Sequence, residues 1–484
     1  MTVDLVAEVL AACERTPRAT AIISARGAEL SFGDLRERVL RIRDRFVAAG
    51  LEPGDGVLYA VQPAPDAIAV ALGVVAAGGV LVFADPGLAA GMLEARLRLA
   101  DPKWVVAESL LYTITSFAPL RALVARRGVL LPSLREQALS HAYTGRWLPG
   151  VPSGAVRLRG LDGAYDGELG KADLDDPAAV IFTSGTTASP RAVVHSRSSL
   201  AAGLEIFRDR FPMEPGDVVH TDGLMLGLPA LIGGATWSMP GKSPGNREIT
   251  HMYCVPVEVT TLDSLPGSLR HLLLGSAPAP PAVLRKALAL TKAEVASVYA
   301  MTEALPIALA TAREKLDYPD GDLLGPPMPG VGVRFTDDEE LVVSGPHIAT
   351  GYLGDAPHTE VATGDLVRMD AEGRLVLLGR KKDMLLRDGF NIYPSLYEPA
   401  IAALPGVADA AIVGIADPET GDEEVVLAIV PGEGFSESLV RGRLPKLVDA
   451  GALPDRIEVL QEFPRSGRSR KLDRAALREA TRRR

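Results

Sequence analysis

The chain reads as an α/β protein that ends in a small α+β unit, and three observations carry that reading. Over the first half, helix-like and strand-like segments alternate. Such alternation implies a mostly parallel sheet covered by helices. From Val333 the pattern changes to short β-type pieces separated by Gly-containing turns, as in a small antiparallel sheet or barrel. After Gly379 comes a compact stretch of about one hundred residues, within normal domain size.

The elements follow in order. Asp4 and Glu8 stand among apolar residues, so the N-terminus reads as an amphipathic helix and not as a signal peptide. Ser31 is placed to cap a helix that runs over residues 36–49 and stops at Gly50. Residues 57–61 form a strand. Residues 67–84 are almost entirely apolar, close to the ~20 needed to span a bilayer. Gly73, Gly78 and Gly79 interrupt them, so they divide into a buried helix, a Gly-Gly turn and the buried strand 80–83. Pro, Gly and charge dominate residues 148–176, which reads as a surface connection. Beyond Val333, strands are expected at 340–343, 365–369 and 374–378. Gly379, Arg380, Lys381, Lys382 and Asp383 form a charged hinge. A helix through Leu404, strands at 408–413 and 425–430, and a final helix complete the chain. There is no internal repeat and no low-complexity tract.

Composition bounds the function. With 484 residues, 47% hydrophobic and 23% charged, the chain has the make-up of a soluble globular protein of about two to four domains. The net charge of −10 argues against nucleic acid as a main partner. The closing Arg482, Arg483 and Arg484 read as a solvated helix end. Cys13 and Cys254 are the two cysteines. They suggest no disulfide framework and no metal-ligand spacing, which fits a reducing cytoplasm. No stable membrane insertion is expected.

The most informative segment is Thr183-Ser184-Gly185-Thr186-Thr187-Ala188-Ser189-Pro190-Arg191, entered from the apolar run 178–182. Small residues let backbone N–H groups approach an anion, hydroxyls add donors, and Arg191 adds a forked cation. A phosphate-wrapping loop and an ordinary Ser/Thr turn are both open on this segment alone. It is not a G-x-x-x-x-G-K-[ST] loop. Further along stand Gly275-Ser276-Ala277-Pro278, Tyr299-Ala300-Met301-Thr302-Glu303, Thr363-Gly364-Asp365, the span from Gly345 to Tyr352, Arg380 and Lys382. Taken singly, these read as turns, a helix start capped by Thr302, and a solvated basic turn.

In their order and spacing these pieces resemble the adenylate-forming superfamily, which includes acyl-CoA synthetases, peptide-synthetase adenylation domains and luciferases. The resemblance spans most of the chain. It implies a large N-terminal domain, residues 1–381, made of two α/β subdomains and a small β-barrel-like subdomain. A small mobile α+β domain, residues 382–484, follows. It implies that Thr183, Ser184, Gly185, Thr186, Thr187 and Arg191 bind phosphate, and that Gly275, Ser276, Ala277, Tyr299, Ala300, Met301 and Thr302 line the nucleotide. Glu303 would hold Mg²⁺, Asp365 and Arg380 the ribose, and Lys382 would be the hinge. The catalytic work falls to Lys471, Thr183, Glu303 and Arg191. Lys471 belongs to residues 463–474, which resemble the superfamily's closing signature with one residue inserted between Pro464 and Lys471-Leu472-Asp473-Arg474 and without the Gly that precedes its lysine. Arg470 is the alternative for its cation.

The implied reaction is ATP-dependent activation of a carboxylic acid as acyl-AMP with release of pyrophosphate, followed by acyl transfer to a thiol. The cofactors implied are ATP, Mg²⁺ and CoA or the pantetheine of an acyl carrier protein. Two fragments, 302–307 and 82–87, look like the β-lactone synthetases of olefin biosynthesis, so CoA-independent lactone formation is an alternative, as is amide formation. A degenerate, non-catalytic nucleotide-binding protein is the other class. The chain departs from the superfamily at Ala188, Ala192 and Arg191 in the phosphate loop. Arg197 stands where a histidine usually does, and Gly227 lies near a second expected histidine. Asp388 and Leu396 replace a glycine and a glutamate in the C-terminal domain.

Overall fold

The structure, a computed structural model, describes residues 4–83, 90–125, 134, 139–158, 165–183, 191–241, 248–319, 321–387, 390–416, 423–448, 452–466 and 470–482. Ser31 caps the helix Phe32–Ala48, its hydroxyl accepting from Asp34 N at 3.0 Å, an interaction worth about 1 kcal/mol. The apolar run divides as its glycines dictate, into the helix Pro65–Ala76 and the strand Val80–Phe83. Gly73 is required where the two helices cross, because a Cβ there would lie 2.5 Å from the Ile42 side chain. Gly78, at φ +87°, takes the left-handed conformation that ends the helix.

Among the described residues, the first sheet runs in the order Gly351–Tyr352, Ala192–Ser196, Pro177–Phe182, Val80–Phe83, Gly56–Ala60, Trp104–Glu108, Ser140–Thr144, Val156–Arg157. Its middle is parallel, and Ala192–Ser196 is antiparallel to both neighbours. The second sheet runs Ala304–Thr311, Glu294–Met301, His271–Leu274, His251–Cys254, Val218–His220, Thr236–Ser238, Thr20–Ile23, Glu29–Ser31. It is parallel except at its two ends. The barrel-like part is a five-stranded antiparallel sheet in the order Asp322–Gly325, Leu375–Arg380, Glu360–Met369, Glu340–Ser344, Gly332–Phe335. The C-terminal part holds the strands Val407–Ala416, Glu423–Pro431 and Arg456–Val459, the helix Pro394–Ala402 and the closing helix Arg474–Thr481.

One expectation changes. Thr302 does not begin a helix. Glu294–Met301 and Ala304–Thr311 pair antiparallel, with Met301 opposite Ala304, so Thr302 and Glu303 form a hairpin tip. The short continuous apolar run 304–311, with Pro306 near its start, suits a buried strand at the sheet end rather than a helical turn. Residues 483–484 of the basic tail lie outside the described residues.

Candidate functional site

The site is built where the two large sheets meet, at strand ends. In open α/β sheets, ligands bind in the crevice outside the carboxyl ends of the strands. Pro177–Phe182 leads out to Thr183, whose N–H donates to Arg191 O at 3.1 Å. The two strands flanking residues 183–191 pair with Phe182 opposite Ala192. Ser184, Gly185, Thr186 and Thr187, with Ala188, lie outside the described residues. Ala192 sits in a regular strand and is not among the positive-φ residues, so its Cβ costs the backbone nothing. The Arg191 guanidinium lies over the Tyr352 ring, 4.1 Å from its centroid.

The hairpin tip is held from three sides. Tyr352 OH donates to Glu303 Oε1 at 2.8 Å, and Ala349 N donates to Glu303 O at 2.8 Å. His195 Nε2 lies 2.8 Å from Thr302 O. Glu303 is buried, and Tyr352 OH donates to one of its two carboxylate oxygens. A carboxylate of this kind fits Mg²⁺, a hard cation usually held by one or two carboxylates together with substrate phosphates.

Asp365 and Arg380 face each other across antiparallel strands. Arg380 Nε approaches Asp365 Oδ1 to 2.7 Å, and Tyr299 OH donates to Oδ2 at 2.6 Å. The Arg380 contact is an ion pair without hydrogen-bond geometry, so the buried Oδ1 receives no hydrogen bond. That leaves an acceptor suited to a ribose hydroxyl. Burial pushes the Asp365 carboxyl up from its ordinary value, while Arg380 pulls it down. The Tyr299 hydroxyl is pushed well up by burial and by Asp365, so it is the donor in this pair.

Gly275, Ser276 and Ala277 follow the strand His271–Leu274. Ser276 is left-handed at φ +64°, and Tyr253 OH lies 2.6 Å from its Oγ. A Cβ on Gly275 would sit 3.1 Å from the Tyr253 ring, so glycine lets that ring lie against the turn. Ala300 and Met301 close the strand Glu294–Met301 beside it.

Arg380 and Lys381 are anchored to the antiparallel sheet, Lys381 Nζ lying 2.6 Å from Asp338 and 2.9 Å from Glu340. On the other side, Asp383 lies 3.5 Å from Arg474, which is itself paired with Glu398 at 2.7 Å. Lys382 sits between these anchored sides, in the short turn Lys381–Asp383. Lys471, from Lys471–Leu472, lies within the electrostatic field of Arg380, Asp365 and Lys382. Partial desolvation of its ammonium lowers its pKa most, Arg380 lowers it further, and Asp365 opposes them. Arg470 is left-handed at φ +47°, and its carbonyl accepts from Arg465.

Three expectations about departures are settled by packing. Gly227 is inside the helix Leu224–Gly233, and a Cβ there would lie 2.1 Å from the Trp237 indole. It is a packing glycine, not a pocket position. Arg197 is buried, pairs with Asp4, and donates to Val75 O at 2.6 Å, so it anchors the N-terminal helix Leu5–Arg15. Leu396 lies in the helix Pro394–Ala402, packed against Gly321. Asp388 lies outside the described residues. Sequence reasoning missed His195 and the phenol–carboxylate pairs Tyr299–Asp365 and Tyr352–Glu303. Their partners lie 107, 66 and 49 residues away, and no local pattern signals them.

Comparison with known proteins places this geometry. The pattern described as "AMP-binding enzyme" matches residues 9–353, and that of the "AMP-binding enzyme C-terminal domain" matches residues 397–471. A feruloyl-CoA synthase of Amycolatopsis sp is 28% identical over 460 residues, covering 87% of each chain. A 2-succinylbenzoate–CoA ligase of Bacillus mycoides is 30% identical over 349 residues, 63% of this chain and 70% of the relative. Among solved structures, ATP-bound MatB from Rhodopseudomonas palustris aligns with a TM-score of 0.78 at 25% identity, covering 99% of each chain. The amide bond synthetase McbA from Marinactinospora thermotolerans shares the fold, with a TM-score of 0.81 at 23% identity, over 98% of this chain and 99% of that one. The chain belongs to the AMP-binding enzyme family, as an adenylate-forming protein of the acyl-CoA synthetase kind.

Proposed function

We propose that the protein activates a carboxylic acid with ATP and passes the acyl group to a thiol, of CoA or of a carrier-protein pantetheine. The observation that carries the nucleotide half is the buried Asp365 Oδ1, an acceptor without a hydrogen-bond donor beside Arg380. In this reading a ribose hydroxyl donates to it, Tyr299 fixes the carboxylate, and the Glu303 carboxylate takes Mg²⁺. Thr183, Arg191 and residues 184–187 cradle the phosphates. Bound Mg²⁺ neutralises phosphate charge as the bond to pyrophosphate breaks.

The acid's carboxylate oxygen attacks the α-phosphorus, and pyrophosphate leaves. Lys471 supplies a cation where negative charge gathers in that step. Rotation about Lys382, at the boundary between residues 1–381 and 382–484, then exchanges Lys471 for the surface that admits the thiol. The thiolate attacks the acyl carbon, and the C–O bond to AMP breaks.

The thiol acceptor rests on the CoA-ligase names of the relatives. The test is product analysis with a panel of aromatic and aliphatic acids, with and without CoA. AMP release that requires CoA and yields an acyl thioester is the expected result. CoA-independent AMP release with a lactone, or an amide when amine is present, would overturn the acceptor assignment.

A further inference from the structure

His195 is almost wholly buried in the strand Ala192–Ser196, four residues beyond Arg191. Its Nε2 lies 2.8 Å from the Thr302 carbonyl, and its Nδ1 lies 3.2 Å from Ser199 Oγ. A carbonyl only accepts, so Nε2 carries the proton. Burial lowers the imidazole's pKa, which favours the neutral ring. The Ser199 hydroxyl has Ser196 O, also at 3.2 Å, as a second acceptor, so the contact that orients the ring is the Nε2–H pointed at the hairpin tip.

The bond joins the two large sheets. Ala192–Ser196 belongs to the first sheet and leaves the phosphate loop, whereas Thr302 belongs to the hairpin that closes the second. The segment carrying Tyr352 is pinned between them. Thr350 N and Oγ1 both donate to Val194 O at 2.9 Å, and Ala349 N donates to Glu303 O. His347 lies on that segment, equally buried and beside His195. Neither of its ring nitrogens has a hydrogen-bond partner among the described residues. It therefore makes no hydrogen bond to the Thr302 carbonyl.

We propose that His195 is a positioning residue for the metal–phosphate half of the site: its N–H fixes the Thr302 carbonyl and thereby the direction of Glu303. This deepens the adenylation reading and rests on it. His195 itself touches no reacting atom. Removing it should loosen Glu303 relative to the phosphate loop, weakening the nucleotide only in its metal-bound form.

The experiment is calorimetric titration of ATP, with Mg²⁺ and separately with EDTA, into the full chain and three variants. His195→Gln keeps an amide N–H long enough to reach Thr302 O. His195→Asn keeps the polarity but falls short, and His195→Leu has no donor. The gain in ATP affinity conferred by Mg²⁺ should fall about fivefold in His195→Asn and His195→Leu, the scale of one hydrogen bond. It should stay within about twofold of wild type in His195→Gln, and affinity in EDTA should change little in any of them. If His195→Leu does not fold, the Asn–Gln pair carries the comparison alone. Equal metal dependence in His195→Asn and His195→Gln would overturn the positioning role while leaving the adenylation reading intact. A wild-type protein that binds ATP equally with and without Mg²⁺ would overturn both.

Discussion

The Thr302–Glu303 tip and the Lys471 loop both serve the proposed adenylation step, and they are held in opposite ways. The tip is fastened by His195, Tyr352 and Ala349, each 2.8 Å from its acceptor. Lys471 approaches Arg380 and Asp365 through their electrostatic field, from a two-residue strand of the C-terminal part. Groups that must face ATP throughout can be fixed by short hydrogen bonds. A group needed in only one half-reaction must be able to leave, and the field around Lys471 does not clamp it, because Arg380 and Lys382 repel its ammonium while Asp365 attracts it. The anchors around the hinge fit that division: Lys381 is tied to Asp338 and Glu340, and Asp383 approaches Arg474.

Substitutions on the two sides should therefore separate. The largest effect is expected on the loosely held side. Lys471→Ala should slow adenylate formation about 10²-fold, as loss of one charge-stabilising group commonly does. Its turnover of supplied acyl-AMP should remain near wild type. Should Arg470→Ala show this pattern and Lys471→Ala not, the cation would be Arg470. On the fixed side, Asp365→Ala should weaken ATP binding by about 2–3 kcal/mol, the scale of hydrogen bonds to a charged group. Unchanged ATP affinity in equilibrium titration would remove Asp365 from the nucleotide site. Tyr299→Phe deletes only the donor to Asp365 Oδ2 and should cost about 1 kcal/mol of ATP affinity. A loss as large as that of Asp365→Ala would mean that the phenol contacts nucleotide directly.

Protonation sharpens the comparison further. Lys471 acts as a cation; it is an exposed residue, but partial desolvation of its ammonium and the nearby Arg380 lower its pKa from 10.5. Adenylation should thus decline as pH rises, on a limb below that ordinary lysine value. Lys471→Arg should flatten the limb, because a guanidinium stays charged; a limb that persists in this variant would belong to another group. Stability has its own acid limb. His251 and His347 are held down to about 4, His251 chiefly by burial and by His271, His347 chiefly by burial and by His195. Asp217 and Arg270 also act on His251, in opposite directions. Between pH 6.5 and 4 the unfolded chain binds more protons than the folded one, so this stability is present above about 6.5 and lost as pH falls. Near pH 5.5 each histidine should cost about 1 kcal/mol, measurable by urea denaturation. A flat stability profile over that range would mean that the two rings titrate normally.

What the sequence showed lies within single segments; what it hid is pairing and packing between them. Ser31 as a cap and the Gly73–Gly78–Gly79 division of the apolar run were legible, because each is written within one short stretch of chain. The helix start expected at Thr302 was not borne out, since the pairing partner 304–311 decides that turn. Gly227, near where the resemblance puts a second histidine, is packed against Trp237. Arg197 looked like an altered site residue, but its partners are Asp4 and Val75. Only for Arg197 are the deciding neighbours distant in sequence; the 304–311 strand and Trp237 lie close along the chain, but no periodicity or spacing shows the pairing or packing they impose.

The central claim is tested most directly by acid-dependent exchange of pyrophosphate into ATP. With a cognate acid and Mg²⁺, the wild-type protein should catalyse exchange, and Asp365→Ala should require far more ATP to reach it. Absence of exchange with every acid class, in a folded protein that still binds ATP, would contradict the account and leave a nucleotide-binding protein without the adenylation step.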